Sequence, residues 1–455
     1  MKAAALASLV VLAGCAVGPD YSKPQAETPA AYKEAGDWVV AKPADAAPKG
    51  KWWEAFRDPV LDGLEEQVNV SNQTLKAAQA RYSQALSAVQ GARAQFFPAL
   101  GVSANATRSH AADLDTRRYD VALDASWEPD FWGRVRRQVE SAGAAAQASA
   151  ADVEAARLSL QAELATDYFQ LRATDAGIAI LEDTIKAFQT SYTLTRNRYR
   201  AGVAAKVDVV QSETQLKSTQ ADAIDLRASR AQLEHAIAVL TGHPPASFSI
   251  APASVEARIP SIPPGLPSTL LERRPDIAAA ERRMAEANAN VGVAEAAYFP
   301  SLQLTASGGF AGASIANLVA APNRAWSLGI AAAETLLDFG ARESQVASAR
   351  AAYDQAVANY RQTVLQGFQE VEDQLATLRY LEEESAVQQE AARAAHESVA
   401  LTLNQYKAGT VSFLNVIIVQ SAQLNQDRAV VTLAGRRLAA SAALVRALGG
   451  AWEAP

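Results

Sequence analysis

Side chains able to carry out chemistry are few and scattered in this chain of 455 residues. Its four histidines, His110, His235, His243 and His396, stand singly, so their spacing assembles no metal-ligand cluster. No serine, aspartate or glutamate falls into a nucleophile-and-histidine arrangement or a paired-carboxylate cleft, and repeated alanine-rich stretches are poor pocket formers. Neither an enzyme nor a bound cofactor is expected. The single cysteine, Cys15, excludes intrachain disulfides. A net charge of −7 offers no basic face, which argues against a nucleic-acid partner. Two kinds of residue remain: one thiol near the N-terminus, and two glycines, Gly202 and Gly409, whose conformational freedom marks where long helices stop.

The thiol sits at the end of a processing signal. Lys2 and the apolar run from Ala3 to Val11 have the charge and length of a signal-peptide core, too short to span a bilayer as a mature helix. Leu12-Ala13-Gly14-Cys15 then places small residues directly before the thiol and resembles the bacterial lipobox. That resemblance implies a diacylglycerol on Cys15, which becomes the new N-terminus carrying covalent palmitate. Ala16 is not the aspartate that tends to retain such products at the inner membrane, so delivery to the outer membrane is expected.

The two glycines belong to a repeat. Arg198-Tyr199-Arg200-Ala201-Gly202, then Val207-Asp208-Val209-Val210, matches Gln405-Tyr406-Lys407-Ala408-Gly409, then Leu414-Asn415-Val416-Ile417. Upstream, Phe97-Pro98-Ala99-Leu100 matches Phe299-Pro300-Ser301-Leu302, and Asp130-Phe131-Trp132-Gly133 matches Asp338-Phe339-Gly340 with one inserted residue. Between Gly340 and Tyr406 there is no proline, and Val346, Ala349, Tyr353, Val357, Tyr360, Val364, Phe368, Val371, Leu375 and Leu378 recur three or four residues apart. This spacing predicts one helix of about 67 residues, roughly 100 Å long. Gly133 to Tyr199 predicts a second of the same length. At Gly409 a left-handed residue stops the helix, and the proline-free run from Ser412 to Leu448 returns antiparallel. Each copy is therefore a helical hairpin with its tip at a glycine. Val60 to Phe96 adds a further helix, with Leu61, Leu64, Val68, Leu75, Ala78, Tyr82, Leu86 and Val89 on one face.

After Pro98 the period changes from helical to alternating. Gly101 to Thr107 and Tyr119 to Trp127 read as two strands of about ten residues, and Leu302 to Ser307 and Trp326 to Ala331 repeat them. One apolar face and one small or polar face suit a membrane barrel with a wet lumen, although a soluble sandwich strand shows the same alternation. Four strands cannot close a barrel, whose minimum is about eight, and open sheet edges are not tolerated in lipid. Several copies must share the barrel; a cyclic trimer gives about twelve strands above a closed helical tube. The chain divides into a signal peptide (1–14), a Pro-, Ala- and Lys-rich lipid-anchored tether (15–59), a first repeat (60–240), a Pro-rich linker (241–267) and a second repeat (268–455).

Glu272-Arg273-Arg274-Pro275-Asp276-Ile277, continuing through Ala280-Glu281-Arg282-Arg283 to Tyr298-Phe299-Pro300-Ser301-Leu302, resembles the outer membrane efflux lipoproteins of the NodT type, TolC-like outer membrane factors. Cys15-Ala16-Val17-Gly18-Pro19-Asp20-Tyr21 and Trp52-Trp53 with Phe56 and Asp58-Pro59 look like further landmarks of that family. The resemblance implies a TolC-like channel-tunnel fold, α with transmembrane β: long antiparallel helical hairpins and four strands per chain, assembled as a homotrimer on a 12-stranded barrel. It implies an efflux channel in the outer membrane with a periplasmic helical tunnel, passing small amphipathic compounds. A periplasmic adaptor and an inner-membrane pump of the resistance–nodulation–division class are the implied partners. The tips would face the periplasm and dock the adaptor, with Tyr199, Arg200, Tyr406 and Lys407 as exposed neighbours of Gly202 and Gly409; the bland reading is that both glycines are only caps.

One departure from the family pattern concerns the gate. Members often carry an aspartate after the tip glycine; the first copy keeps Asp208, whereas the second has Asn415 and Ile418. Leu414 and Ile418 could form an apolar constriction instead, or could be coiled-coil core residues. Two other functions share parts of this pattern, a conduit for type I protein secretion and a lipid-anchored coiled-coil spacer. The spacer does not explain four alternating strands in matched pairs.

Overall fold

The computed structural model describes residues 16–24, 28–29, 31–34, 50–111, 114–254, 259–260 and 273–450. The signal segment, Cys15 and much of the Pro-rich linker lie outside these residues. The described chain forms seven α-helices: α1 Pro59–Ser71, α2 Gln73–Ala94, α3 Arg134–Arg200, α4 Lys206–Leu240, α5 Pro275–Ala296, α6 Ala341–Lys407 and α7 Phe413–Ala447. Four strands accompany them: β1 Ala99–Ala111, β2 Leu114–Trp127, β3 Ser301–Gly312 and β4 Arg324–Ala333. The chain splits into two compact units, one of residues 1–26, 79–151 and 277–363, the other of 27–78, 152–276 and 364–455.

The long helices have the expected size. α3 and α6 are each 67 residues and α4 and α7 each 35, so both copies of the repeat produce the same hairpin. Along α6 the apolar stripe turns inward: Val346, Tyr360, Val364, Phe368, Val371, Leu375 and Leu378 are all buried. The helix expected over 60–96 is instead two, broken at Asn72. Its backbone is extended there, its side-chain carbonyl accepts from Leu75 N at 2.9 Å to start α2, and its amide donates to Leu240 O at 2.8 Å. An asparagine that caps one helix while tying off another competes with the continuous hydrogen-bond ladder and wins.

In the first unit the strands form one antiparallel sheet in the order β1-β2-β3-β4. β2 starts at Leu114, earlier than the apolar alternation indicates, because polar pairs extend the ladder. Ser109 Oγ meets Thr116 Oγ1 at 2.7 Å, and Arg108 and His110 both bond Asp115, at 2.7 and 2.9 Å. The segment from Ala16 to Pro24 is held against α3 and α5. Arg137 donates to Val17 O, Gly18 O and Asp20 Oδ1, Asn288 donates to Pro19 O, and the Tyr21 hydroxyl reaches Glu281.

In the second unit, Trp52, Trp53 and Phe56 pack in a short 3-10 turn, and Phe56 lies 4.8 Å from Phe169 of α3. Asp58 caps α1, accepting from Val60 N and Leu61 N, with Pro59 at the first helical position. On the same helix Glu65 is fully buried, and neither of its carboxylate oxygens has a hydrogen-bond partner among the described residues. Burial, and then the nearby charge of Asp62, push its pKa well above the ordinary carboxylate range. A pKa raised by folding contributes stability that is present below the unfolded value of about 4.3 and lost as pH rises through the raised folded value. Thermal unfolding in detergent at pH 5 and pH 8 should therefore show a smaller loss of Tm with pH in Glu65→Gln than in the parent chain.

Candidate functional site

The sheet separates its side chains cleanly. Residues directly opposite in an antiparallel ladder share a face, so the registers place Leu100, Val102, Val121, Leu123, Trp127, Leu304, Phe310, Leu328 and Ile330 on one side. Ser103, Asn105, Asp120, Asp124, Thr305 and Ser307 stand on the other. The polar side is internally bonded: Ser103 Oγ donates to Asp124 at 2.6 Å and Asn105 Nδ2 to Asp120 at 2.9 Å. The apolar side is bare in the single chain, with Val102 76%, Leu328 76% and Ile330 71% exposed. A greasy face backed by a hydrogen-bonded polar face is what a sheet needs between lipid and a wet lumen. No helix among the described residues is long and apolar enough to cross a membrane.

Where strands give way to helices, aromatics and left-handed glycines recur. Trp132 stacks on Phe299 at 4.9 Å and donates from Nε1 to Pro300 O at 2.7 Å, while Trp127 Nε1 donates to Phe96 O. Gly133 and Gly340 follow with φ of +81° and +91°. Asp130 then caps α3 through Val135 N and Arg136 N, and Asp338 caps α6 through Arg342 N.

At the other end of each hairpin the tips are built alike. Gly202 has φ +75° and Gly409 +78°. In the first, Val203 N donates to Arg198 O and Gly202 N to Tyr199 O; in the second, Thr410 N donates to Gln405 O and Gly409 N to Tyr406 O. These paired bonds satisfy carbonyls that a helix end leaves open. Open space surrounds both glycine Cα atoms, so only the left-handed backbone requires glycine.

Tyr199, Arg200 and Lys407 are exposed as expected, but Tyr406 is not: it is 6% exposed. The Arg198 guanidinium lies 4.8 Å over its ring and Phe413 packs 5.3 Å away, so a cation–π contact and a ring contact cover it. Arg198 and Phe413 are tip residues that sequence reasoning missed. The Arg198 contact joins two hairpins and leaves no mark in the period of either, whereas Phe413 covers Tyr406 from within its own hairpin. Asp208 is half-buried, and Asn415, Leu414 (46%) and Ile418 (56%) are exposed in the chain, so the last two do not belong to the core of their own hairpin.

Elsewhere the chemistry is sparse. A cleft of about 390 Å³ among α3, α4, α6 and α7 is lined by Gln170, Thr174, Gln374, Arg428, Arg436, aliphatic side chains and small residues, without a carboxylate, cysteine or histidine. Among the described residues no three His, Cys, Asp or Glu gather to hold a metal ion. His110, His243 and His396 are engaged with Asp115, Gln67 and Asp427.

Comparison with known proteins places this geometry. A family model described as outer membrane efflux protein matches residues 64–243 and 266–450. The toluene efflux pump outer membrane protein TtgC of Pseudomonas putida is 29% identical over 453 residues, spanning 97% of this chain and 94% of TtgC. Nodulation protein T of Rhizobium leguminosarum bv. trifolii is 31% identical over 427 residues, spanning 90% and 89%. Among solved structures, the outer-membrane channel OprN superposes with a TM-score of 0.88 at 31% identity, covering 96% of this chain and 100% of that one.

Proposed function

The chain belongs to the outer membrane efflux protein family and is an outer membrane efflux channel of the TolC-like channel-tunnel fold; from this premise we propose how its parts do the work. Three copies share one barrel of about twelve strands and pass small amphipathic compounds passively from periplasm to exterior. The observation that carries this reading is the four-stranded sheet, apolar on one face, polar on the other and unpaired at both edges. TtgC is named for a toluene pump, and an apolar or amphipathic small molecule is the cargo we assign here. Energy for transport comes from an inner-membrane pump of the resistance–nodulation–division class through a periplasmic adaptor. The channel performs no catalytic step.

Cys15 carries the lipid. Palmitate labelling of the wild type and none in Cys15→Ser is the expected result; labelling of the variant would exclude this thiol as the acceptor. Barrel formation gives the unlipidated protein a second hold on the membrane, so channel function should survive in part.

The hairpin tips dock the adaptor, with Tyr199, Arg200 and Lys407 offered to it and Tyr406 beneath Arg198 stiffening the surface. Leu414 and Ile418 narrow the tunnel mouth as an apolar ring, and Asp208 and Asn415 supply its polar groups. Gly409→Val tests the docking role. It adds only the cost of a left-handed β-branched residue, about 1–2 kcal/mol, in open space. Assembled channel should remain near normal abundance while adaptor cross-linking and drug export fall several-fold. Normal abundance with unchanged cross-linking would remove docking from this tip.

A further inference from the structure

The apolar face of the sheet changes character at the end far from the helices. Successive rows of that face hold Leu123 with Val102, Val121 with Ala104, Tyr119 with Ala106, and then Arg117 with Arg108. One row further, His110 faces Asp115. Across the sheet, Phe310 stands beside Val121 and faces Arg324, which opens β4, and Trp326 follows on the same side. Exposed Arg108, Arg117 and Arg324 thus stand on the greasy face, beside the aromatic rings of Tyr119, Phe310 and Trp326.

Two of these cations are ladder partners. Arg108 lies directly opposite Arg117, a placement of like charges that costs stability unless an anion lies between them. Asp115 answers only in part: it accepts from Arg108 Nη2 at 2.7 Å and meets His110 Nδ1 at 2.9 Å. Among the described residues, neither Arg117 nor Arg324 has a carboxylate partner. The height of the pair is that of a membrane boundary. Trp127, tied to Phe96 O, marks the helical end of β2. The span from Arg117 to Trp127, at about 3.3 Å per residue and a tilt of about 40°, rises roughly 25 Å, the height of an apolar barrel band. Arginine on a lipid-facing strand is costly at the middle of such a band and tolerated at its rim, where aromatic rings also gather.

We propose that Arg108 and Arg117 clamp a phosphate of an outer-leaflet glycolipid, whose acyl chains lie down the face over Tyr119, Val121 and Leu123. The occupant is a phosphorylated lipid because cations and apolar surface are continuous on one face, and guanidinium forks match phosphate oxygens in charge and geometry. Arg324 adds a third positive group on the same face. Arg118, next to Arg117 in the chain, takes no part: it faces Thr107 on the polar side and lies 3.6 Å from Asp120.

This inference rests on the reading that the apolar face meets lipid, and the experiment separates the two. Purified full-length channel is mixed in detergent with lipid A carrying both of its phosphates or neither, and bound glycolipid is counted by native mass spectrometry. The wild type should hold the phosphorylated form about tenfold better, as two arginines at a membrane surface allow. Arg108→Gln with Arg117→Gln should lose that preference, and Arg118→Gln should keep it. If the double variant fails to assemble, Arg117→Gln decides, since its side chain has no ion-pair partner to lose among the described residues. Equal binding of both forms by the wild type, a preference that survives the double variant, or an equal loss in Arg118→Gln overturns the clamp. In parallel, Leu123→Cys in outer membranes is offered to a membrane-impermeant maleimide and should gain no labelling over the parent chain. A shielded thiol without phosphate preference overturns the clamp alone. A labelled thiol overturns the lipid-facing reading and the clamp with it.

Discussion

Arg274→Ala is expected to destabilise the second unit by about 3 kcal/mol: a buried guanidinium loses several charge-assisted hydrogen bonds, each worth about 1.5–3 kcal/mol, while its carboxylate partners Asp276 and Glu370, more than a third exposed, regain water. The Arg274 side chain is almost wholly buried, directly before Pro275 opens α5. Its guanidinium grips Asp276 with two bonds, at 3.0 and 2.6 Å, and reaches Glu370 of α6 at 2.7 Å. Its remaining bond goes to Ala447 O at 3.0 Å, at the end of α7 where a helix leaves its carbonyls open and favours a cation. One side chain thus joins the start of one helix, the middle of a second and the end of a third. Lysine brings a charge but not the planar fork, so Arg274→Lys should recover only part of the loss. Quantifying assembled channel in outer membranes for wild type, Arg274→Ala and Arg274→Lys checks this, with the alanine variant lowest. Equal abundance of all three would mean that the buried arginine does not hold these helix ends together.

Gly18→Val should be nearly as damaging, for a different reason. Gly18 has φ +97°, and a Cβ there would lie 2.4 Å from the Cα of Gly292 on α5, with backbone on both sides and nothing able to rotate away. The left-handed conformation costs about 1–2 kcal/mol and overpacking about 1–3 kcal/mol more. To relieve the clash, the N-terminal strap must lift, and Arg137 then loses Val17 O, Gly18 O and Asp20. Gly63→Ala is the matched control: that glycine lies within α1 with open space around it, and alanine should stabilise the helix by about 1 kcal/mol. Protease resistance of the membrane-inserted protein should fall in Gly18→Val and hold in Gly63→Ala.

Much of this architecture was readable because it is periodic. Sixty-seven residues without proline and with an apolar step of three or four admit one long helix, and both copies deliver it. The strands were legible as alternation, but β2 extends beyond it through Asp115 and Thr116, where side chains bond across the ladder and hydropathy carries no signal. Asn72 lies in a short polar stretch that helical periodicity tolerates; only its bond to Leu240 O shows why the helix breaks there.

At the tips, glycine gave the turn, because few other residues adopt a positive φ. The burial of Tyr406 was not legible, because it depends on how the tip packs, with Phe413 and Val416 of its own hairpin beside it and Arg198 of the other over its ring. The Arg-Pro-Asp segment was visible as a family landmark, whereas its work as a three-way clamp depends on Glu370 and Ala447, distant in sequence.

The most direct test of the account is single-channel recording from purified wild-type protein in planar bilayers, with the oligomer and any monomer separated before reconstitution. One chain supplies four strands and two open edges, so the trimer fraction should give discrete conductance steps and the monomer fraction none. Conduction by the monomer, or a reconstituted trimer that stays silent, would contradict it.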